Sequence, residues 1–174
     1  MPDFSMAVWK RYCEERVRPQ HSHAPEHTRR LDRLLTAPGI ENTWRNLAVD
    51  VARLPPHPPQ MWQEALHEVI GLVIFPPSII NKKDPAVQRW LRHLRRSGDT
   101  RRPLLVGGRG RKRDDGRWIA LYLKTRIVPA FFAKPHYEDI AALVNAALEL
   151  EDPLSGEDVR KLRPASVRAC RRSG

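Results

Sequence analysis

Apolar residues recur three and four positions apart along most of the chain, which is the pattern of helices that bury one face. Prolines and glycines interrupt the pattern at Pro19, Pro38–Gly39, Pro76–Pro77 and Pro129. The helix over 60–74 is apolar nearly all round and is expected at the centre of the core. The fold class that follows is mainly α, a compact multi-helix domain. The predicted helices span residues 5–18, 26–36, 41–53, 60–74, 85–97, 136–150 and 155–163, and Ser155 is expected to cap the last of them.

Residues 103–123 fit the helical pattern least. Two short apolar runs, Leu104–Val106 and Trp118–Leu123, flank a charged, glycine-rich loop, and this arrangement predicts a β-hairpin. A helix from residue 117 to about 126 is the alternative. Because the hairpin would follow a basic helix, the order of elements would be that of a winged helix-turn-helix domain.

These interruptions divide the chain into a helical domain over residues 1–134, a C-terminal helix pair over 135–163 and a basic tail over 164–174. The tail is expected to be mobile, because chain ends are poorly ordered unless they are held by the rest of the fold. No internal repeat of fixed period is visible in the sequence.

Length and composition restrict the class of protein. A chain of 174 residues can bury a sizeable core without disulfides or a structural metal. Cys13 and Cys170 lie near opposite ends of the chain, a spacing that excludes a disulfide framework and a CxxC zinc site. The N-terminus has no signal-peptide pattern, and no apolar run approaches the ~20 residues that span a bilayer. We therefore expect no membrane partner and a cytoplasmic location, with association with the nucleoid left open.

Positive charge is concentrated in one part of the sequence. The chain carries 31 Lys and Arg against 20 Asp and Glu, a formal net charge of +11. Residues 89–126 hold thirteen of these cations and only three Asp, whereas a codon bias toward arginine would spread arginine along the chain. Such a basic cluster predicts contacts with the phosphates of nucleic acid, DNA in preference to RNA. The candidate contacts in this cluster are Arg89, Arg92, Arg95, Arg96, Arg101, Arg102, Arg109, Arg111, Lys112, Arg113, Arg117, Lys124 and Arg126.

The C-terminal helix pair offers a second candidate surface. Its distinctive positions are Asp139, Ile140, Ala141, Leu143 and Asn145 in the first helix and Ser155, Val159 and Arg160 in the second. With these residues, the segment 137–163 resembles the helix-turn-helix of recombinase-type and resolvase-like DNA-binding domains. The resemblance implies that the second helix faces DNA through Ser155, Arg160, Lys161 and Arg163. An ordinary amphipathic helix pair is the alternative.

Other residue types suggest chemistry less strongly. His21, His23, Glu26 and His27 are close enough in sequence to ligate a metal, but no fourth ligand can be identified, so a polar loop is expected. No Walker loop, HExxH pair or Ser-His-Asp arrangement is present. We therefore expect a non-enzymatic protein with no metal and no cofactor.

The five tryptophans fall at apolar positions of the predicted elements and are expected in the core. Trp118 lies at the edge of the basic loop and is the expected exception, because aromatic rings beside arginines can stack on unpaired bases. His67 lies on the apolar helix 60–74 and is expected to form a hydrogen bond in or beside the core.

These features predict a nucleic-acid-binding protein, acting as a regulator or as an accessory factor of a mobile element. A homodimer would suit a regulator. The main alternative is a helical scaffold subunit of a larger nucleoprotein complex, similar to the small helical subunits of RNA-guided defence complexes, with protein partners on its other face. A third possibility is a module whose basic patch binds an acidic protein.

Overall fold

The computed structural model describes residues 4–21, 24–52, 61–75 and 115–163. Within those ranges the chain forms seven helices and no strand, which confirms the all-α class for this part of the protein. The seven are α1 (Met6–Tyr12, a π-helical turn Cys13–Val17, and Arg18–His21), α2 (Pro25–Thr36), α3 (Ile40–Ala52), α4 (Met61–Ile74), α5 (Asp115–Tyr122, a π-helical turn Leu123–Ile127, and Val128–Phe131), α6 (Tyr137–Leu148) and α7 (Gly156–Lys161). The predicted helix 85–97 and the predicted mobile tail lie outside the described residues.

Two helices, α4 and α6, occupy the centre of the fold. Helix α4 packs against α1, α2, α3, α5 and α6, as expected for its nearly continuous apolar surface, and α6 packs against α2, α3, α4, α5 and α7. Leu66 and Ile70 of α4, with Ile140 and Val144 of α6, are fully buried or nearly so. All described residues except Arg163 belong to one compact unit, called the body below.

The predicted β-hairpin is not supported, because its second arm is helical. Trp118, Ile119 and Leu123 lie in α5 and are almost completely buried. A run of consecutive apolar residues suits a buried strand or a buried helix equally, so spacing alone could not decide between them. Helix α5 buries these residues against its neighbours, and the alternative of a helix from 117 is the correct one. Residues 103–114, with the first arm, lie outside the described part of the chain.

Prolines do not end α1 and α5, contrary to the sequence expectation. Pro19 lies within the last turn of α1, and Pro129 lies within the last turn of α5. An interior proline removes a helix hydrogen bond and clashes with the carbonyl four residues before it. Each proline here follows a π-helical turn, in which the amide preceding the proline bonds five residues back, Arg18 to Cys13 and Val128 to Leu123. We infer that the wider turn makes room for the proline ring, so the helix continues past it.

Helices α1 and α5 share a sequence motif, although the sequence shows no repeat of fixed period. Tyr12 to Pro19 and Tyr122 to Pro129 both read Tyr-x-x-x-Arg-(Val/Ile)-x-Pro, with the π-helical turn at the same position. A twelve-residue helix follows in each case, α2 and α6, and these two helices pack against each other. The chain therefore uses the same order twice: a helix with a π-helical turn, a twelve-residue helix and a further helix.

Aromatic side chains fill the core between α1, α3 and α4. The ring of Trp9 stacks on Tyr12, with centroids 5.5 Å apart, and lies 5.3 Å from Trp44 and 6.2 Å from Trp62. These three tryptophans are buried, as predicted. Their indole N–H groups differ: Nε1 of Trp44 donates to the carbonyl of Leu34 at 2.7 Å, whereas Nε1 of Trp9 has no hydrogen-bond partner within the described residues.

We expect Trp44→Phe to destabilise the protein more than Trp9→Phe. Leu34 lies in the last turn of α2, and the residue four positions on is Pro38, which has no N–H to donate. Loss of Trp44 Nε1 therefore removes the donor that satisfies this carbonyl, and an unsatisfied buried acceptor costs about 1–3 kcal/mol. Urea unfolding of both variants should show this difference in the free energy of unfolding. Equal losses would mean that the hydrogen bond contributes nothing.

Candidate nucleic-acid interface

The structure describes six of the sixteen residues predicted to contact nucleic acid. The six are Arg117, Lys124, Arg126, Arg160, Lys161 and Arg163. The ten outside the described residues are Arg89, Arg92, Arg95, Arg96, Arg101, Arg102, Arg109, Arg111, Lys112 and Arg113.

Helix α7 carries two of the six, and its N-terminal end is held by side chains. Ser155 and Asp158 form a capping box: Ser155 Oγ accepts from the amide of Asp158 at 3.1 Å, and the Asp158 carboxylate accepts from the amide of Ser155 at 2.9 Å. The amide of Gly156 donates to Glu138 of α6 at 3.2 Å. A side chain at position 156 would have to displace this carboxylate, because an added Cβ would overlap it. The cap predicted at Ser155 is thus confirmed.

The connection between α6 and α7 is fixed by one amide side chain. Asn145 Nδ2 donates to the carbonyl of Leu154 at 2.8 Å, and Asn145 Oδ1 accepts from the amide of Leu154 at the same distance. Both polar groups of the Leu154 backbone are therefore satisfied where the chain turns toward α7, and Leu154 itself is buried.

Lys124 holds the C-terminal end of α7. Its Nζ donates to the carbonyls of Val159 at 2.9 Å and Leu162 at 2.8 Å, and also to that of Arg160. The last carbonyls of a helix have no partner within the helix and carry partial negative charge, so an ammonium group is well placed there. The same ammonium lies 5.3 Å from the ring centroid of Tyr137. Lys124, predicted as a phosphate contact, is thus placed against backbone carbonyls.

The remaining predicted residues lie around the same helix or beyond it. Arg160 and Lys161 both contact Glu157 on the preceding turn of α7. Arg117, at the start of α5, lies near Asp158: hydrogen bonds from Ser155 are the main cause that lowers the pKa of Asp158, and the charge of Arg117 adds to it. Arg163 follows α7 and is exposed, and Arg126 is half-buried in the π-helical turn of α5. The structure therefore brings residues near 117–124 and 157–161 together, although sequence analysis treated them as separate features.

Sequence analysis missed a buried ionic cluster at the start of α6. The imidazole of His136 lies between two carboxylates, with Nε2 2.7 Å from Asp50 and Nδ1 2.8 Å from Asp139. The amide of Lys134 also donates to Asp50 at 2.9 Å, and Asn46 donates to Asp139 at 3.2 Å. Since both ring nitrogens face carboxylate acceptors, the doubly protonated imidazolium fits this site best. The cluster joins α3 to the first turn of α6.

One signal for this cluster was present in the sequence. Asp139 stands three residues after His136, at the spacing of a helix cap and its third residue, so a contact between them could have been predicted. No such signal pointed to Asp50, because its partner lies 86 positions away.

Other candidate groups are placed as follows. His67 forms the expected hydrogen bond, with Nδ1 2.9 Å from the hydroxyl of Tyr12. His21 and His27 lie with ring centroids 6.3 Å apart, while His23 is outside the described residues. Within the described ranges no three His, Cys, Asp or Glu side chains are grouped to hold a metal ion. Trp118 is buried at 5% exposure, so the expectation that it is exposed for base stacking is wrong.

The described helices were also assessed as membrane spans. None of the helices in the described part of the chain is long and apolar enough to cross a bilayer.

We expect Lys124→Met to loosen α7 while leaving the rest of the body folded. Methionine retains the apolar stem but cannot donate to the carbonyls, and a hydrogen bond from a charged group contributes about 1.5–3 kcal/mol. The free energy of unfolding should fall by about 2 kcal/mol, and amide exchange should accelerate in residues 159–162. Lys134→Met, which changes an exposed lysine, is the control. Unchanged exchange in α7 would contradict the assignment.

The ionic cluster predicts how stability depends on pH. Burial disfavours the charge on His136, but hydrogen bonds to Asp139 and Asp50 outweigh it and raise the His136 pKa above 6.5. Burial likewise opposes the charge on Asp50, but hydrogen bonds from His136 and the Lys134 amide lower the Asp50 pKa below 3.8. The contribution of His136 to the free energy of unfolding is complete below pH 6.5 and is lost as the pH rises through the folded-state pKa of His136. The contribution of Asp50 to the same free energy is complete above pH 3.8 and is lost as the pH falls through the folded-state pKa of Asp50.

Urea unfolding across the pH range tests this prediction on the alkaline side. The parent should lose stability relative to His136→Gln as the pH rises above 6.5, because only the parent carries the titrating imidazole. Subtracting the two curves removes the contributions of all other groups that both proteins share. Curves that run parallel from pH 6 to pH 9 would show that the cluster does not titrate as described.

Comparison with known proteins assigns the chain to no group. The chain matches no family model, and no curated protein or solved structure is significantly similar to it. The resemblance of residues 137–163 to a recombinase-type helix-turn-helix therefore rests on the matching residues alone. Two of these, Asn145 and Ser155, form the contacts that hold α7 in place.

Proposed function

We propose that the protein is a non-enzymatic nucleic-acid-binding protein, with DNA preferred over RNA. It contacts phosphates through the arginine cluster of residues 89–126. The proposed biological roles are those of a regulator or of an accessory factor of a mobile element.

The separation of charge between parts of the chain is the observation that carries this proposal. The described residues contain fifteen Lys and Arg against sixteen Asp and Glu, although the whole chain has a net charge of +11. Residues 76–114 contain twelve cations against three acids, and residues 164–174 contain three arginines and no acid. A nearly neutral helical body thus accompanies two strongly basic segments.

Many cations of the body have acidic partners close to them. Arg18 contacts both Glu14 and Asp32, and Arg45 contacts Glu41 one turn away. In residues 76–114 the cations outnumber the acids fourfold, so most of them have no acid of their own segment to pair with. Arginines release condensed counterions when they neutralise phosphates, and this release favours binding to nucleic acid. Only seven of the 31 cations are Lys, and the planar guanidinium of Arg suits phosphate oxygens well.

We expect Arg109, Arg111 and Arg113 to contribute to the salt dependence of binding. Affinity for duplex DNA, single-stranded DNA and RNA is measured by fluorescence anisotropy across a salt series. Each lost phosphate contact reduces the slope of log K against log[salt] by about 0.9 on duplex DNA, so the triple change to Gln should reduce it by up to about 2.7. The preferred ligand should be duplex DNA.

The matched control removes the same amount of charge from the body. Lys10, Arg11 and Arg16 lie exposed on α1, and their change to Gln should leave affinity and slope close to those of the parent. Equal effects of the two triple variants would show that total charge matters and position does not. If the parent binds none of the three ligands, the proposed function is wrong.

Binding to the same three nucleic acids distinguishes a regulator from a scaffold subunit. A regulator is expected to prefer a defined duplex and to bind it as a dimer with regular half-site spacing. A scaffold subunit is expected to bind weakly without sequence preference and to copurify with protein partners from its host. Sedimentation of the protein with and without the duplex distinguishes these outcomes.

A further inference from the structure

We propose that the exposed side of α7, together with Arg117 of α5, is a second phosphate-binding surface for the backbone of nucleic acid. The surface consists of Arg117, Arg160 and Lys161 and is called the α7 surface below. This inference rests on the proposed function: it takes Arg117 from the arginine cluster and adds Arg160 and Lys161, which lie outside that cluster.

Three exposed cations from two helices form the α7 surface. The side chains of Arg160 and Lys161 are 61% and 70% exposed, and Arg117 is also exposed. Helices α5 and α7 pack against each other, and Arg117 lies close enough to Asp158 to help lower the pKa of that carboxyl after the hydrogen bonds from Ser155. Arg117 therefore lies near α7, although it is distant from this helix in sequence.

The ion pairs that Glu157 forms on this surface are exposed. The neighbouring acid, Asp158, accepts hydrogen bonds from both the amide and the hydroxyl of Ser155. Glu157 accepts from Arg160 at 2.7 Å and lies 3.4 Å from Nζ of Lys161, so one carboxylate serves two cations. Exposed ion pairs contribute little to stability, because water solvates both charges well. A phosphate can therefore replace Glu157 as a partner at little cost.

Lys124 makes the end of α7 compatible with an anion. The carbonyls at a helix C-terminus carry partial negative charge, which would repel a phosphate. Nζ of Lys124 donates hydrogen bonds to the backbone carbonyls of Val159 and Leu162, and its positive charge offsets their partial negative charge. Lys124 is thus a positioning residue in this proposal: it holds α7 and does not itself contact the phosphate.

The contacts at both ends of α7 fix the surface before a ligand binds. The Ser155–Asp158 cap, the bond from Gly156 to Glu138 and the carbonyl contacts of Lys124 hold this six-residue helix. A surface that is already ordered loses less conformational entropy on binding than one that must be ordered by its ligand. This matters for α7, because a helix of this length is not stable by itself.

Charge and side-chain type favour nucleic acid over an acidic protein as the ligand. Two of the three cations are arginines, whose guanidinium forms paired hydrogen bonds with phosphate oxygens. In sequence, α7 is followed by Arg163 and then by residues 164–174, which contain three arginines and no acid, so positive charge continues along the chain. A duplex presents phosphates at regular spacing on a long surface, which suits several separated cations.

The test compares two pairs of cations in matched surroundings in the full-length protein. Arg160 and Arg29 both contact a glutamate three residues earlier, and their side chains are 61% and 62% exposed. Lys161 and Arg45 both contact a glutamate four residues earlier. The test variant is Arg160→Gln with Lys161→Gln, and the control is Arg29→Gln with Arg45→Gln. A duplex DNA and a polyglutamate peptide are the two probes, each measured across a salt series.

The test variant is expected to bind duplex more weakly, with a salt slope smaller by up to about 1.8, while the control keeps the parent slope. The same slope in both variants would overturn the α7 surface. A loss of binding to polyglutamate with binding to duplex unchanged would overturn it as well, and would assign the surface to an acidic protein. If the parent binds duplex and the Arg109/Arg111/Arg113 variant weakens that binding while the α7 variant does not, only this inference fails. A parent that does not bind duplex would refute the proposed function itself.

Lys124→Met tests the positioning role. If Lys124 acts through α7, affinity for duplex DNA should fall. The slope of log K against log[salt] should then change by much less than the value of about 0.9 that one lost phosphate contact gives. A slope reduced by about 0.9 with α7 still protected from amide exchange would instead make Lys124 a direct phosphate contact. Affinity equal to that of the parent would show that the position of α7 is irrelevant to binding.

Discussion

The body depends on the burial of α4 and α6 against each other and against the five helices around them. Leu66 and Ile70 of α4 and Ile140 and Val144 of α6 are almost completely removed from water. Burial of one such side chain contributes about 1.5–3 kcal/mol. Because each central helix contacts five others, neither can move without exposing apolar surface on several neighbours. The packing of α4 and α6 therefore determines where the polar contacts at the helix ends can form.

Those polar contacts satisfy the backbone where the central helices begin and end. The start of α6 is joined to α3 through Asp50, His136 and Asp139, and its end is joined to α7 through Asn145. A chain that turns beside a buried helix must find partners for its amides and carbonyls, because water reaches them poorly. The π-helical turns before Pro19 and Pro129 keep the backbone hydrogen-bonded where a proline enters the helix, so α1 and α5 continue past it.

The charge of the chain is divided between a nearly neutral body and two strongly basic segments. In the body, ion pairs along and between helices balance the charge, so the fold does not carry a large repulsion of its own. The proposed binding function assigns the excess positive charge to segments whose sequence is rich in Arg and Gly. The α7 surface links this function to the body, because the contacts that hold α7 also place Arg160 and Lys161.

The sequence by itself determined the all-α class, six of the helices and most of the core, because helical periodicity depends only on near neighbours. It also determined the cap at Ser155, whose partner is three residues away. Only the tertiary structure decided that Trp118–Leu123 is a helix, since a continuous apolar run suits either element until its neighbours are known. It also assigned Lys124 to the end of α7 and Asp50 to His136. Those partners lie 35 and 86 positions apart, so no local pattern could indicate them.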